Sequence, residues 1–138
     1  MDNQFTSSAY YQYINEKKLM GSRDVHTNEM FLPPRPVNPK TFGTDMEWVE
    51  FSGEGTLAAY TIVYIAPTAM IAAGFDRKNP YCAGIVKTKE GPMISAQILG
   101  VDVAHPESIQ IGMPLQASYI TRGEGEAQRV FLAFEPKA

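Results

Sequence analysis

From Glu47 onward the apolar and polar positions follow a β rhythm broken by turn residues. "TLAAYTIVYIA" (56–66) is rich in β-branched and aromatic residues and apolar on both faces, the pattern of a strand covered on both sides. In "YCAGIVKTKEGPMISAQILGVD" (81–102), Ile94, Ala96 and Ile98 alternate with Ser95 and Gln97. Lys89–Glu90–Gly91 supplies a turn, so this segment predicts a hairpin. "PLQASYITRGEGEAQRVFLAFEP" (114–136) predicts a second hairpin, turning through Gly123–Glu124–Gly125. Five or six strands separated by turn signals predict a small closed barrel rather than βαβ units. The one long connection is "APTAMIAAGFDRKNP" (66–80), and long loops on small barrels often carry function.

The first third reads differently. Residues 6–20 predict a short helix: Thr6, Ser7 or Ser8 caps its start, Tyr10, Tyr13 and Ile14 share a face, and Gly21 stands at a usual stop. A helix this short is marginal alone in water, so its stripe docks on the rest of the chain or on a partner. Residues 21–46, containing "SRDVHTNEMFLPPRPVNPKTFG", crowd Pro33, Pro34, Pro36 and Pro39 together without periodicity. The expected organisation is therefore 1–20 helix, 21–46 proline-rich segment and 47–138 barrel.

At 138 residues the chain fits one compact domain able to bury a core without disulfide or metal. A net charge of −3 argues against a general nucleic-acid binder, whose affinity comes largely from Lys and Arg on phosphates. Cys82 has no second cysteine to pair with, which makes a reducing cytoplasm the simplest compartment. The polar start "MDNQFTSSAYYQYINEKK" reads as neither signal peptide nor anchor. No window approaches the ~18 consecutive apolar residues of a spanning helix. A soluble, cytoplasmic protein is the expectation.

No residue set assembles into an evident catalyst. "GEGTLA" (53–58) has the G-x-G-x-x-A spacing of a dinucleotide fingerprint, but a β run follows where a helix is needed. Its glycines predict a turn or bulge. His26 and His105 lack a Ser, Cys or carboxylate at a triad spacing, and Asp102 with His105 is two ligands short of a structural metal site. Both histidines read as surface residues. Cys82 sits in an apolar run and reads as a small packed hydrophobe, while Glu47, Glu50 and Glu54 read as solvated.

The order of these features resembles the family labelled domain of unknown function 35, in which a short helical part precedes a rubredoxin-like zinc ribbon and an OB-fold barrel. "KLMGSR" (18–23) is similar to the entry to the ribbon, and "FLPPRPV" (31–37) to the family's Pro-Pro-Arg segment. "WVEFSGEGTLAAYTIVYIAP" (48–67) resembles the opening of its barrel, and "NPYCAGIVKTKEGPMISAQILGVD" and "IGMPLQASYI" its later strands. The likeness runs from about Tyr10 to Phe134. One departure stands out. Where the family has two zinc-binding cysteine pairs, this chain has Asp24 and Thr27, then Asn38 and Thr41. None is a thiolate, so the resemblance implies a ribbon hairpin kept without its zinc. Four prolines would lower the entropy cost of ordering it, and Met30, Phe31 and Val37 would pack it on the barrel or a partner.

What the resemblance implies is a non-catalytic accessory subunit that binds acyl-CoA beside a thiolase or thiolase-like enzyme, the partner supplying the nucleophile. No tightly bound cofactor is expected, and CoA or acyl-CoA is the expected ligand. Arg35, with Arg23 and Lys40, would meet its phosphates; Phe31, Tyr64 and Phe75 would line the pantetheine path beside Pro33 and Pro34. Arg35 equally suits a role bonding local carbonyls, and the aromatics suit core packing. Tyr10 and Tyr13 suit a partner interface or internal docking. Two other classes stay open: an OB-fold binder of single-stranded nucleic acid, and a stand-alone acyltransferase acting through Cys82 or His105.

Overall fold

Thr6 starts the first helix by accepting the Ala9 N–H on its hydroxyl at 3.1 Å. The computed structural model describes residues 5–123 and 125–137. Residues 1–4 of the polar N-terminal stretch and Glu124, at the centre of the second expected turn, lie outside the described residues. Helix α1 spans Ser7–Asn15 and is followed by β1 (Met20–Asp24), β2 (Met30–Phe31) and β3 (Met46–Glu50). The barrel strands are β4 (Glu54–Val63), β5 (Tyr81–Thr88), β6 (Met93–Ile98), β7 (Pro114–Arg122) and β8 (Arg129–Pro136). A one-turn helix α2 (Thr68–Ala72) lies in the long β4–β5 connection.

The helix is shorter than the expected 6–20, and Gly21 is not its stop. Lys17 takes the left-handed conformation (φ 60°). The Lys17 N–H then donates to the Ile14 carbonyl and the Lys18 N–H to the Tyr13 carbonyl, both at 2.9 Å. This is a Schellman closure built on a lysine instead of a glycine. Gly21 lies in β1 instead, where a Cβ would collide with the Phe31 carbonyl and lie 2.5 Å from the Phe51 ring. Only glycine lets β1 pass that close.

Strands β2, β1 and β3 form a small antiparallel sheet in that order, with Met20 opposite Glu50 and Arg23 opposite both Glu47 and Met30. β3, whose residues the sequence pattern places at the opening of the barrel, thus pairs with β1. Gly53 (φ 83°) makes the turn that leads into β4, the structural role expected of the G-x-G stretch.

Five strands close the barrel in the order β4-β5-β6-β8-β7, every neighbour antiparallel except the β6–β8 pair. That is the mainly β, OB-fold architecture the pattern predicts. The two expected hairpins are β5–β6 and β7–β8. A register shift between Leu57 and Ala59 bends β4, which lets one strand pair with both β5 and β7. Leu57, Val86, Ile98, Leu115 and Phe134 fill the interior, and the same core takes in Ile14, Leu19, Leu32 and Phe51 from the helix and small sheet. Among the described residues no helix is long and apolar enough to cross a membrane.

Candidate functional site

Asp24 at the end of β1, Thr27 in the β1–β2 turn and Asn38 in the β2–β3 connection, three of the four positions that the resemblance sets against zinc-binding cysteines, meet in one hydrogen-bond network. Asp24 is buried, and its Oδ1 accepts the backbone N–H groups of His26 at 2.8 Å and Thr27 at 3.3 Å. Its Oδ2 accepts from Asn38 Nδ2 at 2.8 Å. Asn38 is fully buried, also donates to Glu29 Oε1 at 3.3 Å, and accepts the Lys40 N–H at 3.0 Å. Thr27 and Thr41 spend their hydroxyls on the N–H groups of Glu29 and Gly43. The Asn38 hydrogen bond, then those from the local backbone, hold the Asp24 carboxyl below its usual range. Glu29 is held low by Asn38 and then by Lys40. These groups are committed to one another, carry no thiolate, and do not fit zinc. Among the described residues no cluster of three His, Cys, Asp or Glu could hold a metal.

The residues singled out as ligand contacts are divided by the fold. Arg23 is paired with Glu47 and also contacts Asn28, and Lys40 is paired with Glu29 at 3.1 Å. Arg35 differs. Its main chain is clamped by the buried Ser22 hydroxyl, which accepts the Arg35 N–H at 2.7 Å and donates to the Arg35 carbonyl at 3.0 Å. The guanidinium is exposed and lies 5.9 Å from the centre of the Phe31 ring. Pro33 and Pro34 face Tyr10 and Tyr11 of α1. Tyr64 is exposed at the end of β4 and lines none of the grooves described below. Phe75 sits far along the chain, packed on Tyr81 with ring centres 5.3 Å apart.

The helix docks internally. Tyr10 and Ile14 are buried, Asn15 Oδ1 accepts the Val130 N–H at 3.3 Å, and Tyr13 meets Trp48 edge-on at 5.0 Å. Burial, with Tyr11 as a lesser cause, pushes the Tyr10 hydroxyl up to about 12, so it stays neutral at physiological pH. Tyr11 is the ring that remains exposed.

Two grooves share the outer face of the barrel. One, of about 830 Å³, runs between α1, Pro33 and the outward residues Met93, Ser95 and Phe131. The other, of about 850 Å³, lies between the β4–β5 connection and the ends of β6, β7 and β8. Arg129 and Phe131 line both. The second groove, bracketed by the β4–β5 connection and the β7–β8 hairpin, is the place where OB barrels take their ligands. Arg122 stands in it, donating to Gln97 Oε1 at 2.7 Å and resting 5.9 Å from the Phe75 ring centre and 5.3 Å from that of Phe131. Among the candidates from the sequence, only Phe75 reaches it. Arg122, Arg129 and Phe131 escaped notice there, although the span "RGEGEAQR" symmetrically flanks a turn and so signals that its arginines face each other.

The candidate nucleophile and histidines stay apart from both grooves. Cys82 is buried, and burial pushes its thiol up, away from the thiolate. His105 Nδ1 and Asp102 Oδ2 share a hydrogen bond at 2.9 Å in an exposed turn, and His26 pairs with Asp45 at 2.7 Å, also exposed.

Residues 48–119 match the family model described as ChsH2, C-terminal OB-fold domain. A DUF35 domain-containing scaffold protein of Pyrococcus furiosus is 32% identical over 110 residues, spanning 79% of this chain and 74% of the relative. One from Methanocaldococcus jannaschii is 30% identical over 111 residues, 79% and 73% of the two chains. Of solved structures, one described as an Ltp2-ChsH2(DUF35) aldolase superposes with a TM-score of 0.75 at 22% identity, over 94% of this chain and 93% of the other. A DUF35-family protein of unknown function from Sulfolobus solfataricus gives 0.62 at 15% identity, over 94% and 84%. At such identities the two structures speak for the fold alone.

Proposed function

The chain belongs to the DUF35 family, and on that premise we propose that it is a non-catalytic scaffold subunit that docks on a thiolase-like enzyme and helps to bind its acyl-CoA. The observation that carries this reading is the continuity of exposed apolar surface around the barrel. Tyr11, Met93, Phe131, Ile71 and Ile85 are all large and exposed. Of these, Tyr11, Met93 and Phe131 line the first groove, and Phe131 lines the second as well. Exposed apolar surface on this scale is a mark of a protein–protein or ligand interface. The relatives' description as scaffold proteins, and the pairing of a DUF35 chain with an aldolase in one similar structure, agree with it.

For the acyl-CoA, Arg35 on Phe31, beside Pro33 and Pro34, offers an exposed cation on a braced backbone, suited to a phosphate. Arg23 and Lys40 would join only by giving up Glu47 and Glu29. Tyr64 and Phe75 would serve a pantetheine chain passing along the barrel.

Affinity purification of the tagged chain from its host at low salt, with mass spectrometry of what accompanies it, tests the reading. A thiolase-like enzyme recovered in near-equal amount supports it. A lone chain that gives no heat with CoA overturns it.

A further inference from the structure

Arg122 ends β7 and Arg129 begins β8, and the two are direct cross-strand partners. Like charges placed opposite one another in an antiparallel pair destabilise it. The hairpin therefore carries a local electrostatic cost. No carboxylate pairs with either guanidinium among the described residues. Among the described residues Arg129 bonds the Glu126 and Gln128 carbonyls, at 3.1 and 2.9 Å. Arg122 is half-buried, and among the described residues it is held by neutral groups: Gln97, the Met70 sulfur at 3.5 Å, and the faces of Phe75 and Phe131. These contacts fix the plane of the guanidinium and leave most of its N–H donors without an acceptor among the described residues.

The rest of the groove is apolar. Ala69, Ala72 and Ala73 form a wall of small side chains along one side, with Leu99 and Ile120 beneath. Its volume, about 850 Å³, falls in the range of small-molecule sites, roughly 300–1,000 Å³. We propose that this groove, between the β4–β5 connection and the β7–β8 hairpin, is a binding site for a small molecule with an apolar body and an anionic group, the anion held between Arg122 and Arg129. An anion there turns the repulsion of the two cations into attraction, which accounts for their placement. A single strand of nucleic acid fits less well, because it needs a basic track along its backbone, and here two arginines stand at the edge of an alanine wall.

Two sources share the required chemistry: a carboxylate beside an acyl chain, or a CoA phosphate. The site deepens the acyl-CoA reading and rests on it only for that choice of probes. The test is calorimetry on the isolated full chain with decanoate, CoA, decanoyl-CoA and a ten-residue oligothymidylate, repeated with Arg122→Gln, Arg122→Lys and Arg129→Gln. The expected result is that decanoate or decanoyl-CoA binds, and that both glutamine variants weaken it about ten- to a hundredfold. Arg122→Lys should weaken it less than Arg122→Gln. Decanoate binding without CoA binding assigns the anion to a carboxylate, and the reverse to a phosphate; both outcomes support the site. Among the described residues Arg129 bonds only turn carbonyls, so Arg129→Gln should keep or raise the thermal midpoint while losing affinity. That combination separates ligand binding from loop anchoring. No binding of any probe at millimolar concentration, binding unchanged in both glutamine variants, or preference for the oligonucleotide overturns the site. The scaffold reading fails separately: a partner enzyme still recovered with a chain that binds none of the probes leaves it standing.

Discussion

Asn38 Nδ2 donates to Asp24 Oδ2 at 2.8 Å, joining two buried side chains 14 residues apart and tying the β2–β3 connection to the end of β1. In a zinc ribbon these positions would be tied through a metal. Here one amide ties them directly, and its other contacts reach Glu29 and Lys40. Asn38→Ala leaves that network without its hub. We expect it to lower stability by about 1–3 kcal/mol in chemical denaturation. A loss near zero would mean that the prolines hold the ribbon unaided.

The same amide sets a pH dependence. Asp24 and Glu29 are both held below the usual carboxylate range, with Asn38 the largest cause for each. A depressed folded-state pKa adds stability above the unfolded value and loses it as pH falls through the folded one. The stability gap between the wild type and Asn38→Ala should therefore be full near neutrality and narrow below about pH 4. A gap independent of pH would show that the carboxylates do not report on Asn38.

A chelator should change nothing. The donor set does not suit zinc, so the thermal midpoint in millimolar EDTA is expected to match that in plain buffer. A drop on chelation, reversed by zinc, would contradict the hydrogen-bonded ribbon.

Gly21 is a close-packing point of β1 against β2 and the Phe51 ring. A methyl group there meets the Phe31 carbonyl and the Phe51 ring. Gly21→Ala should cost about 1–3 kcal/mol through forced shifts in a packed site. Unchanged unfolding would mean that the approach is looser than the geometry indicates.

Phe42 holds the left-handed conformation (φ 60°) at the ribbon tip with its side chain 80% exposed. A bulky residue there is strained and gains little from burial within the chain. Phe42→Gly should keep or raise stability, by up to about 1 kcal/mol, while weakening capture of the partner enzyme. Equal capture by both forms would remove the tip from the interface.

The barrel was legible because its strands follow the period-2 pattern, as in Ile94, Ala96 and Ile98, and because glycine turns mark the β5–β6 hairpin. The helix end was not. Its left-handed residue is Lys17, and sequence alone points to the nearest glycine, which serves a different contact. That Asp24 and Asn38 are not thiolates could be read from the sequence, but the bond between them needed the fold. The groove was legible least of all. Phe75 and Phe131 come together only when the β4–β5 connection folds over the barrel, and the cations first proposed, Arg23 and Lys40, proved to be paired with Glu47 and Glu29.

The central claim is that this chain works as one component of an assembly. Native mass spectrometry of the complex recovered from the host, with wild type and Phe131→Asp side by side, tests it most directly. Phe131 is exposed and lines both grooves, so the aspartate should spare the fold and damage the docking face. The account predicts a near-equimolar complex with a thiolase-like enzyme for the wild type, and its loss in a folded variant. A wild-type chain recovered alone, or a complex indifferent to the substitution, would contradict it.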